Sequence, residues 1–316
     1  MIAWELGRYG KAKQLIEESL VIQQALGNQV GIGDMFSTLA WIALTQGQLE
    51  QAEQLAQECT ARYREIGDQA RMAKGLRDLA APKLFLGQFS QADSLLEKSI
   101  AIFKDLGGGG DLVFTNILLG ATKSQLGQYA QARSREESGL ELARKFEDRA
   151  GVGRALLWLG RVALVEEADA KAQRLFQQSV AIFRELGQKD QLAAALASLG
   201  HSAHSLGNPT EARQYLMDAL QTIVEIGAFL PLLFAIPLVA LLTADHGEKE
   251  RAIELYALAS RYSFVANSRW CKDVFGRRIE AVAAALPSDI VTAAQARGQS
   301  RDLWVTAKAL LTETAR

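Results

Sequence analysis

The chain has few of the residues that make covalent staples or reactive centres: 2 cysteines, 3 histidines and 5 prolines in 316 residues. Cys59 and Cys271 lie far apart and belong to no CxxC pair. That argues against a disulfide framework or a cysteine zinc site and fits a reducing, cytoplasmic setting. Charge of either sign is not in surplus, with 35 basic and 36 acidic side chains. No bulk attraction to nucleic acid or to an anionic membrane follows. The start, "MIAWELGRYGKAK", lacks the basic and apolar regions of a signal peptide. One long apolar run, "IGAFLPLLFAIPLVALLTA", is interrupted by Pro231 and Pro237 and reads as a buried helix rather than a membrane span.

The scarcity of histidine bears on catalysis. All three histidines fall in the last two fifths of the chain, and none sits in a nucleophile elbow. His201 and His204 have a spacing that can turn two imidazoles to one face of a helix, but no third ligand is evident nearby. Paired acids such as Glu17-Glu18 and Glu136-Glu137 lie on otherwise apolar helices and read as solvated faces. We expect no enzyme, no catalytic residue, no metal and no cofactor. Two glycine-rich stretches imitate nucleotide sites. After Gly107 to Gly110 come Asp111, Leu112 and Val113, where a phosphate loop needs Lys and Ser or Thr. "GVGRALLWLG" has no strand before it. Both are read as helix punctuation, and the four-glycine junction as the softest joint of the array.

What the chain does have is a period. Alanine recurs every 40 residues at Ala12, Ala52, Ala92, Ala132, Ala172, Ala212 and Ala252. Glycine precedes it at Gly7, Gly47, Gly87, Gly127, Gly207 and Gly247, with Glu167 the substitute. A second series runs Gly27, Gly67, Gly107, Gly187 and Gly227, with Glu147 standing in. Between these turns apolar residues follow helical spacing, as in Leu49, Ala52, Leu55, Ala56, Cys59, Tyr63 and Ile66. Each period is therefore two amphipathic helices, and no strand is expected. Small residues form packing columns: Ala40, Ala80, Gly120, Gly160, Gly200 and Ala240 in one, Ser19, Cys59, Ser99, Gly139, Ser179, Ala219 and Ala259 in another.

With Phe36, Leu39, Ala40, Ala43, Ala52 and Cys59 matching one unit, the pattern resembles the tetratricopeptide repeat over about residues 1 to 265. Its period is longer than the usual of about 34, and the closing proline is absent. The long form looks like the sensor repeats of bacterial STAND-type ATPases and maltose-regulator-like transcriptional activators. The resemblance implies an all-α, right-handed superhelical α-solenoid of about six hairpins, the first truncated. Residues 266–316 form a helical capping segment, closed by an ending of the form G-x-x-x-D-L-W-x-x-A-x-x-L-L that also looks like the ends of those sensors.

"MIAWELG" aligns with "WIALTQG" at Trp41 to Gly47. The chain is thus expected to begin in the last turns of a first helix and to be the C-terminal part of a longer polypeptide.

The resemblance also implies which columns face the concave side. They include Asp34 and Trp41, Lys74 and Arg77, Phe114, Arg154 and Arg161, and His201 and His204. Arginine and lysine there would hold a carboxylate or acidic motif, and the aromatics an apolar anchor. The other reading leaves the charges solvated and the aromatics partly buried. Two function classes follow: a protein- or peptide-binding, or small-effector-sensing, module of a bacterial signalling or regulatory protein; or a scaffold that self-associates, as a homodimer, through an end repeat.

Overall fold

The computed structural model describes residues 9–314. The half hairpin expected at 1–7 lies outside them. Among the described residues no strand occurs, and helices follow one another at short intervals. By packing the chain forms two compact units, Met1–Ala155 and Leu156–Arg316.

The first unit contains α1 (Tyr9–Ala25), α2 (Gln29–Thr45), α3 (Leu49–Ile66), α4 (Gln69–Phe85), α5 (Phe89–Asp105), α6 (Asp111–Gln125) and α7 (Tyr129–Lys145). The unit boundary falls inside α8 (Arg149–Val165). The second unit continues with α9 (Asp169–Leu186), α10 (Lys189–Ser205), α11 (Pro209–Ile226), α12 (Leu232–Asp245) and α13 (Lys249–Ala259). The regular pairing then gives way to α14 (Ser263–Asn267), α15 (Arg269–Cys271), a π turn (Lys272–Gly276), α16 (Arg277–Ala284), α17 (Ser288–Ser300) and α18 (Leu303–Thr314). In the first unit α2 pairs with α3, α4 with α5 and α6 with α7, and each hairpin packs on the next. The second unit pairs α10 with α11 and α12 with α13.

The turns explain the glycine columns. At the end of α2, the Gly47 amide donates to the Leu44 carbonyl (3.1 Å) and the Gln48 amide to the Ala43 carbonyl (2.9 Å). This is a Schellman closure, which needs a left-handed residue at the first position past the helix cap. Gly47 supplies it with φ 80°. The same bonds recur where glycine is missing, and Glu147 and Glu167 are each driven to φ 55°. Repeat geometry therefore overrides the preference of the residue.

Small residues in the packing columns are filled from the facing helix. A Cβ added to Gly160 would lie 2.4 Å from the Phe176 ring, and one on Gly120 would lie 2.4 Å from the Glu136 carboxylate. The second column seats Cys59, Ser99 and Ser179 without exposure, and the Ser99 hydroxyl donates to the Ala73 carbonyl at 2.7 Å. The apolar run becomes α12, buried from Leu232 through Leu242. None of the described helices is long and apolar enough to cross a membrane.

Within the second unit, α17 packs on α13 and α18 on α11. Gly298 permits the first contact, since a Cβ there would come within 2.2 Å of the Glu254 carbonyl. Arg297 and Arg301 close it by pairing with the Glu254 carboxylate. Leu303, Ala307 and Leu310 of α18 are buried.

Candidate functional site

Helices α2, α4, α6 and α8 are the first members of successive pairs, so their equivalent faces turn the same way. In the first unit this gathers several of the sequence-predicted groove residues. Phe114 on α6 is the centre. The Trp41 ring lies 5.3 Å away at a tilt of 57°. The Arg77 guanidinium stands 5.5 Å from the Phe114 centroid and that of Arg154 5.3 Å. Four helices thus converge on one half-buried aromatic ring, with cation–π attraction from two arginines.

The two cations differ in burial. Arg77 is 7% exposed. Its Nε donates to Asp78 Oδ1 at 3.1 Å and one terminal nitrogen to Asp111 Oδ1 at 2.9 Å. Burial acts to lower its pKa, but Asp78 and Asp111 outweigh it and hold the guanidinium above its usual range. The Asp78 side chain is fully buried and also accepts from the Ser37 hydroxyl at 2.6 Å. Arg77 is therefore held by one buried and one exposed carboxylate, and Arg154 is half-buried.

Asp34 and Lys74 meet each other: Lys74 Nζ lies 3.3 Å from Asp34 Oδ1, and Arg71 donates to the same carboxylate at 3.1 and 3.2 Å. The Tyr63 hydroxyl adds a third donor at 2.6 Å. Burial acts to raise the Asp34 pKa, but Tyr63, Lys74 and Arg71 together hold it below the usual carboxylate range. Beneath this group burial, aided by Asp78, pushes the Cys59 thiol up to about 12, so it is not a nucleophile.

Residues predicted from the later columns lie in packed interior. Arg161 is 2% exposed, its guanidinium 4.4 Å from the Trp158 centroid and 3.6 Å from that of Phe234. Its backbone carbonyl accepts from Trp270 Nε1 at 2.8 Å. His201 is buried with its ring 5.0 Å from Phe275. Burial first, then the charges of His204 and Arg278, lower its pKa to about 3. His204 Nε2 is in contact with the Asp245 carboxylate, which Arg278 also holds at 3.1 Å. Among the described residues no group of three His, Cys, Asp or Glu is placed to hold a metal. In this structure Arg161 and His201 face packed side chains, whereas His204 borders a surface cavity together with Asp245, His246 and Arg278. The reason is the segment after α13: Trp270 covers Arg161 and Phe275 covers His201, and the repeat register contains no sign of that.

Sequence reasoning passed over Arg71, Asp78 and Asp111, which decide the charge of the inner face. A trace of the signal was present, because Asp34 and Lys74 are one 40-residue step apart in the same column. Arg77 and Asp111 are not in register, so columns alone do not pair them.

Residues 1–65 and 151–222 match a family model described as tetratricopeptide repeat. No curated protein matches. Among solved structures, a Rap protein complexed with competence and sporulation factor is 16% identical and superposes with a TM-score of 0.62, covering 86% of this chain and 79% of that one. The Rap conjugation gene regulator of plasmid pLS20, in complex with a peptide, is 10% identical at a TM-score of 0.58, covering 82% and 76%. The Cut9-Hcn1 hetero-tetramer of APC/C is 16% identical at 0.57, covering 87% and 47%. At these identities the likeness is one of fold. Together with the two matched segments it supports reading the hairpins of this chain as tetratricopeptide-type repeats.

Proposed function

We propose that the chain is a protein- or peptide-binding module, and that its ligand lies along the inner helices of the first unit. The observation that carries this is the convergence of Trp41, Arg77, Phe114 and Arg154, from four helices, on one half-buried ring. An aromatic pair flanked by guanidinium groups suits an apolar side chain next to an acidic group. Two of the similar folds are complexes with a peptide or factor, which supports the peptide-binding reading. The finer setting we propose is the sensing arm of a bacterial signalling or transcription-regulatory protein, working in the cytoplasm and without catalysis of its own. A small effector on the same face belongs to this reading.

The test is selection of binding peptides from a displayed random library on the full chain, followed by titration of the selected peptides against Trp41→Ala and Arg154→Glu. Both residues are half-buried, and circular dichroism of each variant confirms that it folds before the titration. We expect at least a tenfold loss of affinity in each. Unchanged affinity in both removes the groove reading.

A second reading, self-association through an end repeat, is favoured by one observation: Leu15, Val21 and Ile22 of α1, and Leu26 just past its end, are 49 to 71% exposed. Solution mass against concentration, on the parent and on Val21→Glu with Ile22→Glu, decides it. A dimer lost in that variant supports it, and a monomer throughout ends it.

A further inference from the structure

Two carboxylates hold Arg77, and they differ in kind. Asp78 is the inner one, with no side-chain exposure and the Ser37 hydroxyl as a second anchor. Asp111 is the outer one. Its side chain is 55% exposed, and among the described residues its carboxylate is held by Arg77 alone.

The mounting of Asp111 is also different. Helices α2, α4 and α8 each begin under a side-chain cap: Asn28 accepts from the Gly31 amide at 3.1 Å, Asp68 from Arg71 at 3.0 Å, and Asp148 from Gly151 at 2.8 Å. Helix α6 begins after Gly107, Gly108 and Gly109, at φ 88°, 79° and 125°, and Gly110 at its N-cap offers no side chain. Asp111 is its first residue, and Phe114 follows one turn later. The two groups that cover the outer side of Arg77 therefore ride on the least tethered helix start of this face.

We propose that the outer side of Arg77 is a carboxylate subsite of the groove, and that Asp111 is a built-in stand-in which a ligand carboxylate displaces. The inference rests on the groove reading above, in which an acidic group lies next to an apolar side chain on Trp41 and Phe114, and adds that Asp111 holds the acid's place on Arg77 until the ligand arrives. Exchange is inexpensive because Asp78 already neutralises the buried guanidinium, so one outer carboxylate replaces another without exposing an unpaired charge. Because the Asp111 carboxylate itself lies in solvent, its hold on Arg77 is taken as that of a surface pair, which leaves the subsite open about one-sixth of the time and weakens apparent affinity about sixfold.

The experiment follows the Arg77 Nε–H and Trp41 indole N–H resonances of the isotope-labelled full chain. The probes are N-acetyl-leucine, which presents a terminal carboxylate, acetyl-Glu-Leu-amide, which presents a side-chain carboxylate, and N-acetyl-leucinamide, which presents none. We expect one or both carboxylate probes to shift both resonances. Asp111→Asn should saturate at about sixfold lower concentration, and the amide should leave Arg77 unmoved. Equal saturation of the parent and Asp111→Asn overturns the stand-in. A shift at Trp41 without one at Arg77 overturns the subsite and leaves the groove standing. No shift at either, in a folded Asp111→Asn, overturns both.

Discussion

Glu147 and Glu167 stand where other units have glycine, and both are held at φ 55°. An L-residue in the left-handed region costs about 1–2 kcal/mol relative to its preferred conformation. Glycine has no such cost, but its greater freedom in the unfolded chain returns about 0.5–1 kcal/mol of the gain. Replacement by glycine should therefore stabilise by about 0.5–1 kcal/mol at each position. The hydrogen bonds need not move: the Asp148 amide reaches the Ala143 carbonyl at 2.8 Å and the Ala168 amide reaches Ala163 at 3.0 Å, as in the glycine turns. The sites lie in different compact units and share no partner, so Glu147→Gly with Glu167→Gly should give the sum, about 1–2 kcal/mol. Urea unfolding followed by circular dichroism should show a raised midpoint at unchanged slope. The reverse exchange, Gly127→Glu, should lower it by a similar amount. At Glu167 there is a second readout. Burial first, and Glu167 second, raise the Asp169 pKa, so Glu167→Gly should move it downward. Midpoints that stay level or fall in both single variants refute the argument that the turn, rather than the side chain, sets this backbone.

Further predictions follow from the second unit. His201, whose pKa is lowered from 6.5 to about 3 by burial, His204 and Arg278, stays neutral in the fold while the unfolded chain takes up a proton. Its contribution is thus complete above pH 6.5 and declines as pH falls toward 3, by about 2 kcal/mol at pH 5. Denaturant titrations between pH 5 and 7 should show a steeper loss in the parent than in His201→Gln, and parallel curves count against the assignment. Neighbouring charges there are His204, Arg278 and Asp245, and the comparison of the two chains isolates His201 from them. Gly298→Ala puts a methyl group 2.2 Å from the Glu254 carbonyl and should cost about 1–3 kcal/mol. Hydrogen exchange should quicken in α17 before the α10–α11 hairpin. Trp270→Phe removes the donor to the Arg161 carbonyl and should cost about 1–2 kcal/mol, read as a lower unfolding midpoint. Arg161→Lys gives up the guanidinium's cation–π contact with the Trp158 and Phe234 rings and should cost about 2 kcal/mol by the same assay.

Where sequence and structure part, the cause is contact across registers. Asp34 and Lys74 are one repeat apart and pair as their shared column allows. Arg77 finds Asp111 across the glycine turn, 34 residues on, and Phe114 gathers Trp41 and Arg154 from helices two steps before and one after. Arg161 looked like an inner-face cation by column, yet Trp270, 109 residues later, helps enclose it. The long glycine junction was legible as a loose turn. That it carries the exposed partner of a buried arginine was not.

The sequence by itself determined the all-α hairpin array, the 40-residue period, the left-handed turn positions and the small-residue packing columns. These depend on interactions between residues within one unit or at a fixed offset, which repetition writes into the chain many times over. The tertiary structure alone decided which charges of the inner face are spent on one another and which side chains the later helices cover. Such pairings are made once each, between residues at unequal separations, and electrostatic neutralisation and burial depend on distance in space, for which no periodic signal exists.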